Sequence, residues 1–216
     1  MSLDDALGKD LAPSENNIEK NIFKNVARLL SDHITEVKPD LIVCSGRSSQ
    51  LIMEVYRQTT PLSEQKQILI LENKINQDIS QTNPTDQENL TKISDIQSSL
   101  QAKLLQVAKN TKIMFLDEYL SSGKKAYHQE KWFRKLGFDK LFFSFLCTMP
   151  PNDPRRIAMD HELATYIEPS EFDQHNIFAA SLSPKLFDFV EKKAKQISSG
   201  QIAIEDVPEL VKKLLS

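Results

Sequence analysis

The sequence predicts an α/β fold: an open, mainly parallel sheet flanked by helices on both faces, with a C-terminal helical extension. Three observations carry this. Short apolar runs such as Leu41-Ile42-Val43-Cys44, Ile68-Leu69-Ile70-Leu71 and Ile113-Met114-Phe115-Leu116 are of the kind shown by strands buried on both faces. Stretches with apolar residues at helical spacing lie between them. Strand and helix alternating in this way build a parallel sheet covered on both sides.

Taken in order, residues 1–17 are polar and acidic, without a hydrophobic signal core, and read as a loose tail. From Ile18 a helix is expected, because Ile22, Phe23, Val26, Leu29 and Leu30 recur at helical spacing until Lys38-Pro39-Asp40 ends the pattern. The first strand then meets the turn Ser45-Gly46-Arg47-Ser48-Ser49, followed by a helix carrying Leu51, Ile52, Val55 and Tyr56. After the second strand, residues 73–89 are polar, contain Pro84 and show no period, so a long loop is expected there, either a functional lid or disordered. Leu90, Ile93, Ile96, Leu100, Leu104 and Val107 mark the next helix. The third strand runs straight into Asp117-Glu118, and a helix with Ala126, Trp132, Phe133 and Leu136 stops at Gly137 before the strand 141–146. Trp132 reads as helix packing. Past Met149 the prolines at 150, 151 and 154 break the chain, and 155–183 has no clean period. Two last helices are expected at 184–197 and 206–215, the second with Asp206 as N-cap and Pro208 in its first turn. The expected division is a tail (1–17), an α/β core (18–148) and a hood or extension packed on the core (149–216).

Composition narrows the function classes. The chain has 216 residues with 27 basic and 30 acidic side chains, a net charge of −3. That balance argues against a nucleic-acid partner, which calls for a basic excess or stripe. The run Lys192-Lys193-Ala194-Lys195 reads as a solvated helix face. Cys44 and Cys147 both lie in apolar runs and read as buried thiols of a reducing compartment. No apolar stretch approaches the roughly 20 residues that span a bilayer. A cytoplasmic protein without a membrane partner is therefore expected. His33, His128, His161 and His175 are scattered, with no metal-ligand spacing.

The chemistry concentrates where ligands bind in open α/β sheets, beyond the carboxyl ends of strands. In Ile113-Met114-Phe115-Leu116-Asp117-Glu118-Tyr119-Leu120-Ser121-Ser122-Gly123-Lys124-Lys125 a buried strand delivers two carboxylates, and a Ser-Ser-Gly turn opens a helix. Free backbone N–H groups and the dipole at that helix N-terminus suit a phosphate. The hydroxyls of Ser121 and Ser122 add donors, and Gly123 lets the backbone approach closely. The acids suit vicinal sugar hydroxyls, so acids and donors together describe a sugar phosphate.

This segment resembles the phosphoribosyl-pyrophosphate (PRPP) motif of type I phosphoribosyltransferases: four apolar residues, two acids, two apolar residues, then Thr/Ser-Thr/Ser-Gly. The resemblance extends to Leu136-Gly137-Phe138-Asp139-Lys140 before the fourth strand. It also reaches Lys38 to Ser49, which looks like the family's first strand and pyrophosphate loop, and so covers roughly residues 18–148. It implies that Asp117 and Glu118 contact the ribose hydroxyls. Ser121, Ser122, Gly123, Lys124 and Lys125 would surround the 5′-phosphate, and Gly46, Arg47, Ser48 and Ser49 would form the pyrophosphate loop. The implied activity, within nucleotide metabolism, displaces pyrophosphate from ribose C1 by a nitrogen acceptor, with Mg²⁺ carried on the substrate. The resemblance assigns no catalytic residue and no protein-held metal. The acceptor is not legible, Arg155, Arg156 and Asp160 included, and a homodimer is compatible with the pattern. Two departures stand out. Lys124 and Lys125 occupy positions where a small residue and a Thr are usual, and Ser48 and Ser49 replace paired glycines, so a differently shaped pyrophosphate loop is expected. A non-catalytic phosphoribosyl-binding or regulatory module is the alternative. A phosphosugar-isomerase-like domain using 45–49 ranks last.

Overall fold

The computed structural model describes residues 13–82, 84–85, 90–150, 153, 155 and 169–216. The apolar runs form five strands: β1 (Leu41–Ser45), β2 (Gln67–Leu71), β3 (Ile113–Leu120), β4 (Leu141–Thr148) and β5 (Ile177–Ala179). They make one sheet in the order β2-β1-β3-β4-β5, and every neighbouring pair runs parallel. Because β1 connects outward to β2 on one side while β3 lies on the other, the order reverses between β1 and β3. That crevice is where a doubly wound sheet takes its ligand.

The helices divide between the two faces. On one side lie α1 (Pro13–Val37), α2 (Gln50–Thr59), α6 (Pro184–Ser199) and α7 (Val207–Leu215). They bury Phe23, Leu30, Tyr56 and Phe187 against Ile42, Met114 and Leu146 of the sheet. On the other side α3 (Asn73–Gln81), α4 (Leu90–Lys103) and α5 (Lys124–Lys135) enclose Leu100, Trp132 and Phe133 with Val43, Ile113 and Phe115. Each such side chain contributes about 1.5–3 kcal/mol on full burial, so both layers are held mainly by apolar contact. The two C-terminal helices complete the α1–α2 layer.

Several expectations need correction. The first helix begins at Pro13, inside the expected tail, where a proline suits the first turn because its missing N–H has no partner there anyway. Residues 1–12 lie outside the described residues. The segment expected as a loop at 73–89 contains α3, and Ile79 is fully buried. Ile75 and Ile79 sit one helical turn apart, too sparse a pattern to stand out among polar neighbours. From α5, Trp132 Nε1 donates to the Thr82 carbonyl at 2.9 Å, and Lys135 Nζ to that of Pro84 at 2.9 Å. The start of the expected lid is thus a packed helix tied down at its C-terminal end. Strand β5 was not expected; three residues are too few to show a period. Asp206 precedes α7 but makes no side-chain cap, whereas Ser183 caps α6, its Oγ accepting from the Leu186 N–H at 3.4 Å. In the lysine run, Lys192 and Lys195 are exposed, but Lys193 is buried, with Nζ 3.3 Å from Gln196 Oε1 and 5.7 Å from the Phe189 ring. Its long stem packs while its head finds a polar partner. Cys44 and Cys147 are buried free thiols.

Candidate functional site

Strand β3 does not stop at Asp117-Glu118. It continues to Leu120, and its alternation breaks on the way. Leu116 and Tyr119 pack on the same sheet face, three residues apart, and Glu118 is skipped in the pairing with β4. Strict alternation would send the two acids to opposite sides. The irregularity instead places both along one cleft of about 290 Å³, which is also lined by Ser45, Ser48, residues 121–125 and Gln129. That size is at the small end for ligand sites.

The turn at the head of the cleft is built for close approach. Gly123 adopts φ +76°, the left-handed region, directly before α5. The Ser122 hydroxyl accepts weakly from the Lys124 N–H at 3.4 Å. The serine pair, the glycine and the α5 N-terminus therefore converge at the mouth of the switch point.

The charged groups form a linked set. Asp117 accepts from the Glu118 N–H at 3.1 Å through Oδ1, and its Oδ2 is paired with the Lys125 ammonium. Burial, the largest single influence, would raise the Asp117 carboxyl, but the Lys125 charge together with hydrogen bonds from Glu118 and Lys125 holds it below the usual range. Burial likewise opposes the charge on Lys125, while Asp117 and then Glu118 hold its pKa above normal. Glu118 goes the other way. It is 1% exposed, its Oε1 has no hydrogen-bond partner, and burial followed by the Asp117 charge pushes its pKa well up. The two neighbouring acids are thus held unequally, Asp117 toward its ionised form and Glu118 toward its neutral one, as acids in unequal environments are.

The β1–α2 turn is arranged differently. Gly46 takes φ +80°, and its carbonyl accepts from Ser49 Oγ at 2.8 Å. Ser48 and Ser49 lead into α2, their carbonyls accepting from Leu51 and Met53, so neither needs the strained backbone of a glycine pair. The Arg47 guanidinium lies against Gly200 at the end of α6, with Nη2 only 3.6 Å from where a Cβ on that glycine would stand. A helix C-terminus attracts a cation. Of residues 46–49, Ser48 alone lines the cleft among the described residues; Gly46, Arg47 and Ser49 do not.

Gln129 had no place in the sequence reading, and Ser45 entered it only in the 45–49 turn. Ser45 ends β1, and its Oγ accepts from Gln129 Nε2 at 2.9 Å in a buried link between β1 and α5. Gln129 lies one helical turn beyond Lys125, and that spacing was the available signal. The other polar candidates are used elsewhere. His128 Nδ1 lies 3.2 Å from the Ile79 carbonyl, His175 Nδ1 lies 3.0 Å from Glu130 Oε2, and His33 stacks on Phe178. Arg155 bonds Asp153, Asp188 and Glu191, while Arg156, Asp160 and His161 lie outside the described residues. No group of three potential metal ligands occurs among the described residues. Asp117 is engaged by the Lys125 ammonium. No helix among the described residues is long and apolar enough to cross a membrane. Compared with known proteins, the chain matches no family model, no curated protein and no solved structure.

Proposed function

We propose that the chain is a binding domain for a phosphoribosyl ligand, held at the β3–α5 turn. The observation that carries this is the convergence, at the topological switch point, of a helix N-terminus with a left-handed glycine, two serines, two lysines and one ionised carboxylate. The 5′-phosphate sits over residues 121–124, where N–H groups and the helix dipole meet it. Asp117 accepts from ribose hydroxyls, and Glu118, held toward its neutral form, lies beside it. Lys125 bridges the two parts: as phosphate enters, the ammonium is shared between Asp117 and the anion. The compartment is the cytoplasm, in keeping with two buried reduced thiols.

The second reading is PRPP-dependent transfer of ribose 5-phosphate to a nitrogen acceptor, with release of pyrophosphate. The family resemblance and the small cleft favour it. Arg47, turned to the end of α6, counts against it, because the leaving pyrophosphate then lacks the basic group of its loop. In that reading Mg²⁺ arrives on the ligand. A phosphosugar reading at 45–49 has little support from a turn whose serine and glycine bond each other.

Titration calorimetry with PRPP and ribose 5-phosphate tests binding, and a pyrophosphate-release assay with a panel of nucleobases tests transfer. Binding of both ligands without release supports the binding domain. Release with any base replaces it by the transferase reading. Absence of binding at millimolar ligand removes both.

A further inference from the structure

The two edges of the sheet are not alike. Strand β5 is three residues long and is led in by the 3₁₀ turn Pro169–His175. Strand β2 has five residues, Gln67-Ile68-Leu69-Ile70-Leu71, with no charge, proline or bulge in the strand. Natural sheets blunt exposed edges with such devices, because an open edge is a template for another strand. Here Ile70 is 41% exposed, and Ile68 and Leu69 are only half-buried.

The backbone of this edge has a defined register. Leu71 pairs with Ser45, and its carbonyl accepts from the Gly46 N–H at 3.0 Å, so Leu71 directs its peptide groups toward β1. In a parallel pair alternate residues face alternate neighbours. Gln67 and Leu69 therefore also face β1, and Ile68 and Ile70 present N–H and C=O to the open side. Charge flanks the strand at each end: Lys66 before it, exposed, and Glu72 after it, exposed and bonded to Lys103 at 2.9 Å through one carboxylate oxygen.

We propose that β2 joins two copies of this chain through an antiparallel, two-fold β2–β2 pairing centred on Leu69, making one continuous sheet across the dimer. The register follows from hydrogen bonding and charge together. With Leu69 opposite the partner's Leu69, Ile68 and Ile70 each face the other residue of the partner as hydrogen-bonded pairs, which satisfies the open backbone groups on both sides. The same register places Ile70 beside the partner's Ile68 on one sheet face, covering the exposed side chain. It also sets Lys66 opposite the partner's Glu72 at both ends, where the second carboxylate oxygen of Glu72 serves. Shifting the centre to Ile70 or Ile68 cuts the overlap of the two five-residue strands to three residues and moves Lys66 away from the partner's Glu72. Only the Leu69 register satisfies backbone and charge together. An isologous contact of this kind closes on itself, so the product is a dimer and not a fibre. The ligand cleft lies on the far side of β1 and does not depend on the pairing.

The test is sedimentation of the full chain from low- to high-micromolar concentration, with three variants. Wild type is expected to dimerise and Ile70→Lys to sediment as a monomer with its thermal melt unchanged. Lys66→Glu, on an exposed side chain, is expected to weaken the dimer severalfold, less so at high salt. Leu69→Cys reports the register. Self-opposed residues at a non-hydrogen-bonded position have Cα atoms about 4.5 Å apart, inside the roughly 4.4–6.8 Å window of a disulfide. Cys44 and Cys147 are buried, so a covalent dimer formed on oxidation of Leu69→Cys comes from the introduced thiol. A monomeric wild type at high-micromolar concentration overturns the proposal. So does a dimer that Ile70→Lys and Lys66→Glu leave intact, or one in which Leu69→Cys fails to cross-link.

Discussion

The turn after β1 and the turn after β3 begin alike. Each leaves a buried parallel strand, carries two adjacent serines and one glycine near φ +80°, and opens a helix. Past that point they diverge. In the first, Ser49 bonds Gly46, Ser45 bonds Gln129, and Arg47 goes to the end of α6. Ser45 and Ser48 also border the cleft, but the turn's other polar groups are directed into the protein and fix the β1–α2 junction. In the second, the serines, the glycine and the helix N-terminus border the cleft, and the charged groups bond each other across it. Similar composition at equivalent places in a fold therefore gives a structural joint in one case and a candidate site in the other. What decides is where the side-chain partners lie.

The largest expected separation between the two turns comes from Asp117→Asn. Hydrogen bonds to a charged acceptor contribute about 1.5–3 kcal/mol, so this change should weaken PRPP binding at least about tenfold in calorimetry. Arg47→Ala should change affinity less than about threefold, since its guanidinium lies at α6. A tenfold loss in Arg47→Ala would reopen the first turn as part of the ligand site.

The paired acids give the next effect, read through pH. Asp117 has a lowered pKa in the folded state, so its contribution to stability is present above its unfolded pKa and is lost as pH falls through the folded value. Glu118 has a raised pKa. The folded chain then keeps a proton that the unfolded chain gives up, and stability falls as pH rises above the ordinary glutamate range of about 4.3. Glu118→Gln should remove that fall. At pH 8 its melting temperature should exceed that of wild type, by about 2–4 °C for each kcal/mol recovered, and at pH 4 the two should coincide. Equal melting temperatures at both pH values would show that Glu118 is ionised in the folded protein.

A smaller effect belongs to the serines. Ser49→Ala removes the bond to Gly46 and should cost about 0.5–1.5 kcal/mol in denaturant unfolding without changing PRPP affinity. Ser122→Ala, which loses only a long contact to the Lys124 N–H, should be nearly neutral in stability and lower affinity a few-fold. If the two changed places, the roles assigned to the turns would be reversed.

Much of this was legible from residue order. The apolar runs 41–44, 68–71, 113–116 and 141–146 became strands of one parallel sheet because buried strands need no alternation to be recognised. The cluster 117–125 is brought together at one cleft because strand, turn and helix are contiguous, so local sequence determines local geometry. Arg47 does not line the cleft for the opposite reason: its guanidinium lies near Gly200, remote in sequence, at the end of a helix whose docking no local pattern reveals. Helix α3 was hidden because a two-isoleucine stripe is weak, and it is held by Trp132 and Lys135 of another element. The unequal ionisation of Asp117 and Glu118 depends on burial and on Lys125 folding back, which spacing alone does not express.

The most direct test uses the two left-handed glycines as matched probes. Gly46→Ala and Gly123→Ala place the same strain, about 1–2 kcal/mol, at φ +80° and φ +76°. Both should lower unfolding stability by similar amounts. In a PRPP titration, Gly123→Ala should lose about tenfold or more in affinity, because the strained peptide turns its N–H groups away from the anion, while Gly46→Ala should bind as wild type does. Equal affinities in the two variants, whether both retained or both lost, would contradict the assignment of the ligand to the β3–α5 turn.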